Sequence, residues 1–198
     1  MNLPNKITLG RIIISIIILV LMIFPFYNIN YTFPKYLVMG RVVIDLKYII
    51  CGILFIIASF SDFLDGRIAR KNNIVTDFGK VMDAIADKIL VNGVLIIMAV
   101  DGVIPVVIPV VIVIRDTIVD SIKMVASSKG KVIAASISGK IKTICMMLGL
   151  SLLFFNNLPF ELLNFSLGYY LVIIASILSI YSGVQYFMVN KDIIMKKI

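Results

Sequence analysis

The chain has no histidine. That removes Ser-His-Asp and Cys-His nucleophile systems, imidazole-based zinc sites and imidazole acid–base catalysis. Any chemistry must run on carboxylates, lysine, arginine, tyrosine or metal ions. Cysteine is scarce: Cys51 and Cys145 both lie inside apolar runs, with no CxxC spacing. They read as small hydrophobes within helices, not as a redox pair or zinc cluster. Charge is thin too, at 15% of 198 residues, and only eleven side chains are acidic. No fixed-period repeat, low-complexity linker or soluble domain breaks the apolar runs.

What is present is hydrocarbon. The chain is 61% hydrophobic, with a mean hydropathy of +1.07. A soluble domain is nearer half apolar. One core of this size cannot hide the excess, so part of the solvent is lipid. The formal charge is +8. Its basic residues are scattered between apolar runs without a nucleic-acid-binding pattern, so the implied partner is an anionic bilayer surface and not nucleic acid.

About 20 apolar residues cross a bilayer at roughly 1.5 Å each. The sequence predicts six such helices, at about 7–27, 44–63, 76–100, 103–125, 134–155 and 163–189. The expected fold is therefore an all-α integral membrane bundle of six transmembrane helices, one domain over residues 1–198. The polar segment 2–8 is expected to lie at the interface before the first helix. That helix ends without an A-x-A-like cleavage site, so it reads as retained. Residues 28–42 read as a polar, aromatic loop. With the N-terminus inside, Lys6, Arg11, Arg67, Arg70, Lys71, Lys80, Lys123, Lys129, Lys131, Lys140, Lys142, Lys191, Lys196 and Lys197 fall on the inner side. Lys35, Arg41 and Lys47 fall outside. The asymmetry predicts a multi-pass protein of the cell (cytoplasmic or inner) membrane, with the N-terminus in the cytoplasm.

Against this background, residues 61–90 concentrate four carboxylates: Asp62, Asp65, Asp83 and Asp87. Carboxylates near hydrocarbon need a partner or a purpose. Asp62 and Asp65 share one helical face, as do Asp83 and Asp87. Facing each other, these stripes would hold four carboxylates around one volume, and such charges stay ionised only with cations among them. Arg67 and Arg70 are too few to neutralise them. Hard divalent ions with oxygen ligands, Mg²⁺ or Mn²⁺, fit best. Two of them form the usual clamp for displacement at phosphorus. Gly66 and Gly79 beside the carboxylates point to close approach, by a neighbouring helix or by a ligand.

The pattern Asp62-x2-Asp65-Gly66-x2-Ala69-Arg70-x8-Gly79-x3-Asp83-x3-Asp87 resembles, position for position, the motif of the CDP-alcohol phosphatidyltransferases. The opening NLPNKITLGR, the ADK at 86–88, Arg115 with an acid after it and the GKIKT at 139–143 are similar to bacterial phosphatidylglycerophosphate synthases within that family. The resemblance implies transfer of a phosphatidyl group from CDP-diacylglycerol to glycerol 3-phosphate, with release of CMP. It implies two divalent cations on Asp62, Asp65, Asp83 and Asp87, with Asp87 also the general base. Gly66, Ala69 and Gly79 would leave room for the cytidine, Arg70 would meet a phosphate or orient an aspartate, and Asn5 and Thr8 would join the CDP-lipid site. Arg115, Lys140 and Lys142 would hold the acceptor's phosphate. For the two lysines the alternative is plain positive-inside charge, and for Arg115 an ion pair with Asp116 or Asp120. A homodimer through the third and fourth helices is a further implication. Ala84, Asp116, Cys145 and the stretch VDSIKMVASS depart from the subfamily pattern, which leaves the acceptor open: phosphatidylglycerol, serine or an inositol phosphate are alternatives. Outside the family, a divalent-cation transporter is the rival reading. The one-sided placement of the carboxylates and the lack of a two-fold repeat count against it.

Overall fold

Pro4 falls in the first turn of the first helix, where a missing N–H costs nothing. The computed structural model starts that helix, α1, at Leu3 and carries it to Ile23. It describes residues 2–71, 76–131, 133 and 136–195, without the side chains of Leu3, Phe63, Ala69, Arg70, Lys71, Asp77, Lys80 and residues 192–195. The expected interfacial segment is thus not separate: from Leu3 onward it is the first turns of α1.

Five further α-helices follow among the described residues: α2 (Leu46–Lys71), α3 (Asp77–Val100), α4 (Val107–Ser128), α5 (Ile137–Phe154) and α6 (Leu167–Met195). Thr76 caps α3 by accepting from the Gly79 N–H at 3.1 Å. Ser136 caps α5 in the same way through Gly139. Both are standard N-cap chemistry. The loop predicted at 28–42 holds more structure than expected. After a 3-10 turn at Phe26–Ile29, strands β1 (Lys35–Val38) and β2 (Val42–Asp45) pair antiparallel, with Val38 opposite Val42. Gly40 takes the positive φ that the tight connection needs. A second 3-10 turn, Phe160–Leu163, delays the start of α6 beyond the predicted 163.

α1 packs against α2 and α3, and α6 packs against α4 and α5. Lighter α2–α5 and α3–α4 contacts join the two groups. Between them lies a core that includes Ile18, Phe55, Leu95, Met98, Leu150 and Phe154. Ile13, Ile17, Ile53, Ile57, Ile177 and Ile180 are exposed on the outside. Helices apolar on both their inner and outer faces belong in lipid. Four of the six, α1, α2, α5 and α6, are long and apolar enough to cross a membrane. The architecture is that of an all-helical, multi-pass membrane protein with one small hairpin.

Two helix backbones approach closely at Gly149 and Gly168, where α5 meets α6. A Cβ on Gly149 would lie 2.7 Å from Val172 Cγ2 and 3.0 Å from the Gly168 carbonyl oxygen. Gly10 in α1 has no described atom within 4 Å of that position. Gly149→Ala should therefore destabilise by roughly 1–3 kcal/mol, whereas Gly10→Ala should be neutral or gain up to about 1 kcal/mol of helix propensity. Thermal unfolding of the two variants in detergent micelles checks this; equal midpoints would contradict the packing.

Candidate active site

Helical spacing sets the carboxylates on α2 and α3, and packing on α1 brings them together. Asp62, Asp65 and Asp83 each offer an oxygen, all within 4.8 Å of one another. Asp62 and Asp83 are each nearly half exposed, while Asp65 is buried. The third wall is α1. Thr8 Oγ1 lies 2.9 Å from Asp83 Oδ1, 3.1 Å from Asp65 Oδ2 and 3.1 Å from the Pro4 carbonyl oxygen. A hydroxyl has one proton, so it satisfies one of these three acceptors at a time. Asp65 Oδ1 is buried with no hydrogen-bond partner among the described residues.

Arg11 is the cation of this cluster. Its side chain is 1% exposed; Nη1 pairs with Asp62 Oδ1, and Nη2 donates to Asp83 Oδ1 at 2.9 Å. Its Nε is buried without a partner among the described residues. This role was not foreseen, because Arg11 reads in the sequence as a flanking positive charge and a motif position. The available signal was its place three residues after Thr8, one turn along the same face. Asn5 is placed one turn earlier, exchanging hydrogen bonds with the Thr76 hydroxyl at the start of α3. A Cβ on Gly79 would come within 2.8 Å of Asn5 Oδ1. The small residue there admits α1, which is the helix-packing reading of the glycine. Gly66 is half-buried on α2. The side chains of Ala69 and Arg70, singled out from the sequence, lie outside the described residues.

The donor set suits a hard divalent cation: three carboxylates from two helices, one with an unpaired buried oxygen. Asp87 is not one of the three. One turn beyond Asp83 on α3, it lines an adjoining cavity of about 270 Å³. This cavity lies between α3, α4, α5 and α6 and also contains Arg115, Lys140 and Lys142. Lys88, Lys123, Asp116 and Asp120 line it as well. Among the described residues it collects five basic and three acidic side chains, an excess of two positive charges.

Each cation there is held differently. Arg115 donates to Asp116 at 2.9 Å, to Ser182 Oγ at 2.8 Å and to the Ser179 carbonyl oxygen at 3.2 Å. Gly183 lets α6 pass this close, since a Cβ there would meet Arg115 Cγ at 2.9 Å. The buried Lys142 donates to the same Asp116 at 3.0 Å. Lys140 is exposed along the wall. Lys88 of α3 pairs with Asp120 of α4. Lys123, an inner-side charge in the sequence, sits over the Tyr186 ring at 5.8 Å. Thus Arg115 makes the ion pair with Asp116 that was the alternative reading, and it also faces the cavity.

Comparison with known proteins agrees with the motif. Residues 1–181 match the family model described as CDP-alcohol phosphatidyltransferase. The chain is 40% identical over 189 residues to a Bacillus subtilis (strain 168) protein named CDP-diacylglycerol–glycerol-3-phosphate 3-phosphatidyltransferase, covering 96% of this chain and 95% of that protein. Proteins of the same name from Rickettsia bellii (strain RML369-C), at 34% identity with 94% and 93% covered, and Mycoplasma pneumoniae (strain ATCC 29342 / M129 / Subtype 1), at 37% with 75% and 66% covered, are similar too. The carboxylate pattern, the helical frame that carries it and a match over residues 1–181 agree: the chain belongs to the CDP-alcohol phosphatidyltransferase family.

Proposed function

We propose that the chain transfers the phosphatidyl group of CDP-diacylglycerol to glycerol 3-phosphate, giving phosphatidylglycerophosphate and CMP. One observation carries the reading: α3 sets Asp83 in the carboxylate trio and Asp87, one turn on, in a cavity with an excess of two positive charges. That excess suits a phosphate monoester, which carries close to two negative charges at neutral pH. Neutral acceptors such as serine do not call for it. The names of the relatives point to the same pair of substrates.

Asp62, Asp65 and Asp83 would hold the divalent cations, Mg²⁺ or Mn²⁺, with Asp87 as a further ligand where the acceptor meets them. Bound cations would neutralise the pyrophosphate and make its phosphorus more electrophilic. The remaining work belongs to the chain. Gly79 and Gly66, with Asn5 and Thr8 of α1, give the CDP group a close-fitting wall, and Ala69 and Arg70 complete it in the reading from the motif. Arg115, Lys142 and Lys140 bind the acceptor's phosphate and so aim its hydroxyl. The hydroxyl oxygen bonds to the phosphorus nearer the diacylglycerol. The bond from that phosphorus to the bridging oxygen breaks, and CMP leaves with the electron pair. The hydroxyl proton passes to the Asp87 carboxylate as the new bond forms.

The whole of 1–198 acts in this reading as one membrane domain, with all six helices crossing. α3 and α4 carry charges in one half each and are apolar in the other. The Lys88–Asp120 pair joins their charged halves at one end. The basic residues that the sequence assigns to the inner side put that end toward the cytoplasm, in the cell membrane. The exposed apolar faces of α3 and α4, with Ile96, Val100 and Val110, suit a second copy in a homodimer.

Asp87→Asn should lower turnover at least about 100-fold, the usual contribution of a general base, with CDP-diacylglycerol binding retained. A CMP-release assay beside nucleotide-lipid binding reads both, and an active variant would remove Asp87 from the role. Arg115→Ala and Lys142→Ala should each raise the KM for glycerol 3-phosphate by roughly tenfold or more, the worth of a charged hydrogen bond. Unchanged kinetics would reassign the cavity. Chelation should abolish CMP release and added Mg²⁺ or Mn²⁺ should restore it; activity in full chelation would exclude the metal reading.

A further inference from the structure

Arg11 stands where a cation is needed, yet it does not complete the site. It joins α1 to α2 through Asp62 and to α3 through Asp83. A purely structural buried ion pair is stable only when its remaining hydrogen-bonding atoms are satisfied. Here they are not. Among the described residues, Arg11 Nε and Asp65 Oδ1 are both buried and unpartnered. Thr8 supplies one proton to a point crowded by oxygens of Asp65, Asp83 and Pro4. The trio carries three negative charges, and among the described residues Arg11 is the one cation paired with it. Arg11 holds one oxygen of Asp62 and one of Asp83, so a divalent ion drawing an oxygen from each aspartate binds the same carboxylates, at those oxygens or at the ones beside them.

We propose that Arg11 is a built-in counter-ion of the Asp62–Asp65–Asp83 trio. It holds α1, α2 and α3 together in the absence of a divalent cation and competes with that cation for the charge of the same carboxylates. The role rests on the reading of the trio as a metal site. It makes Arg11 a positioning residue whose guanidinium keeps the site assembled and its intrinsic metal affinity low. Like charges brought to one set of carboxylates oppose each other, so the arginine and the ion cannot both be held at full strength.

The test is Mn²⁺ binding to the purified full-length chain in detergent, followed by loss of the free-ion paramagnetic resonance signal, beside thermal unfolding in chelator. Arg11→Gln keeps hydrogen-bonding groups and removes the charge. It should bind Mn²⁺ at least about tenfold more tightly than the unmodified chain. In chelator its unfolding midpoint should fall by roughly 10 °C, and Mn²⁺ should restore it. Arg11→Lys keeps the charge but not the fork that spans Asp62 and Asp83, so its affinity should fall between the two. It also serves if the glutamine variant does not fold. Arg11 variants that bind Mn²⁺ no more tightly than the unmodified chain would overturn the counter-ion role, provided Asp65→Asn weakens binding. Asp65→Asn that binds Mn²⁺ normally would overturn the metal reading of the trio, and the competition with it.

Discussion

Carboxylates are costly in hydrocarbon, and this chain places three of them within one ion's reach. Everything near them is arranged around that repulsion. α1 is brought in by Arg11, whose two nitrogens bind Asp62 on one helix and Asp83 on another. Thr8 adds a hydroxyl from the same face of α1. Only the arginine side of these pairs is buried, so removing a partner costs less than the about 3–5 kcal/mol of a fully buried pair. The packing of α1 on α2 and α3 therefore depends on charge as well as on Ile18 and its apolar neighbours.

The same constraint places charged side chains within α3 and α4, the two helices that do not meet the composition of a membrane span. Their charged halves are not surplus polarity exposed to lipid. Asp83 turns to α1, Asp87 to the basic cavity, and Lys88 to Asp120 on α4. Their apolar halves, with Leu95, Met98 and Ile112, belong to the core. One helix thus serves a hydrocarbon frame and a charged site without a break, because consecutive turns face different neighbours.

Much of this was legible in the sequence, for local reasons. Hydrophobic runs located all six helices, and Thr76 marked the start of α3 because an N-cap is a local chemical signal. The spacing of Asp62 with Asp65, and of Asp83 with Asp87, gave shared faces. It did not separate Asp87 from the trio, because period alone does not say how far a facing helix reaches along α3. The β1–β2 hairpin was missed: Met39 at positive φ is an unusual turn residue, and the strands are only four residues each. Arg11 was missed for a different reason. It lies 51 residues from Asp62 and 72 from Asp83, and a pairing at that distance is a product of packing.

The two charged clusters follow one physical rule. In the first, a carboxylate trio is held by an internal arginine. In the second, the cations Arg115 and Lys142 are held by an internal aspartate, Asp116. Each cluster carries more of one sign than its internal partner cancels: two negative charges beside Arg11, and two positive charges in the cavity. A charge left over in a low-dielectric site attracts its opposite more strongly than the same charge in water. Opposite excesses in adjoining sites, joined by one turn of α3, favour a cation on one side and an anion on the other. That is the arrangement a transfer between a metal-bound pyrophosphate and a phosphate-bearing alcohol requires. Asp116 has a defined place in it: it pairs with Arg115 at 2.9 Å and Lys142 at 3.0 Å, and so brings both cations to one point on the cavity wall.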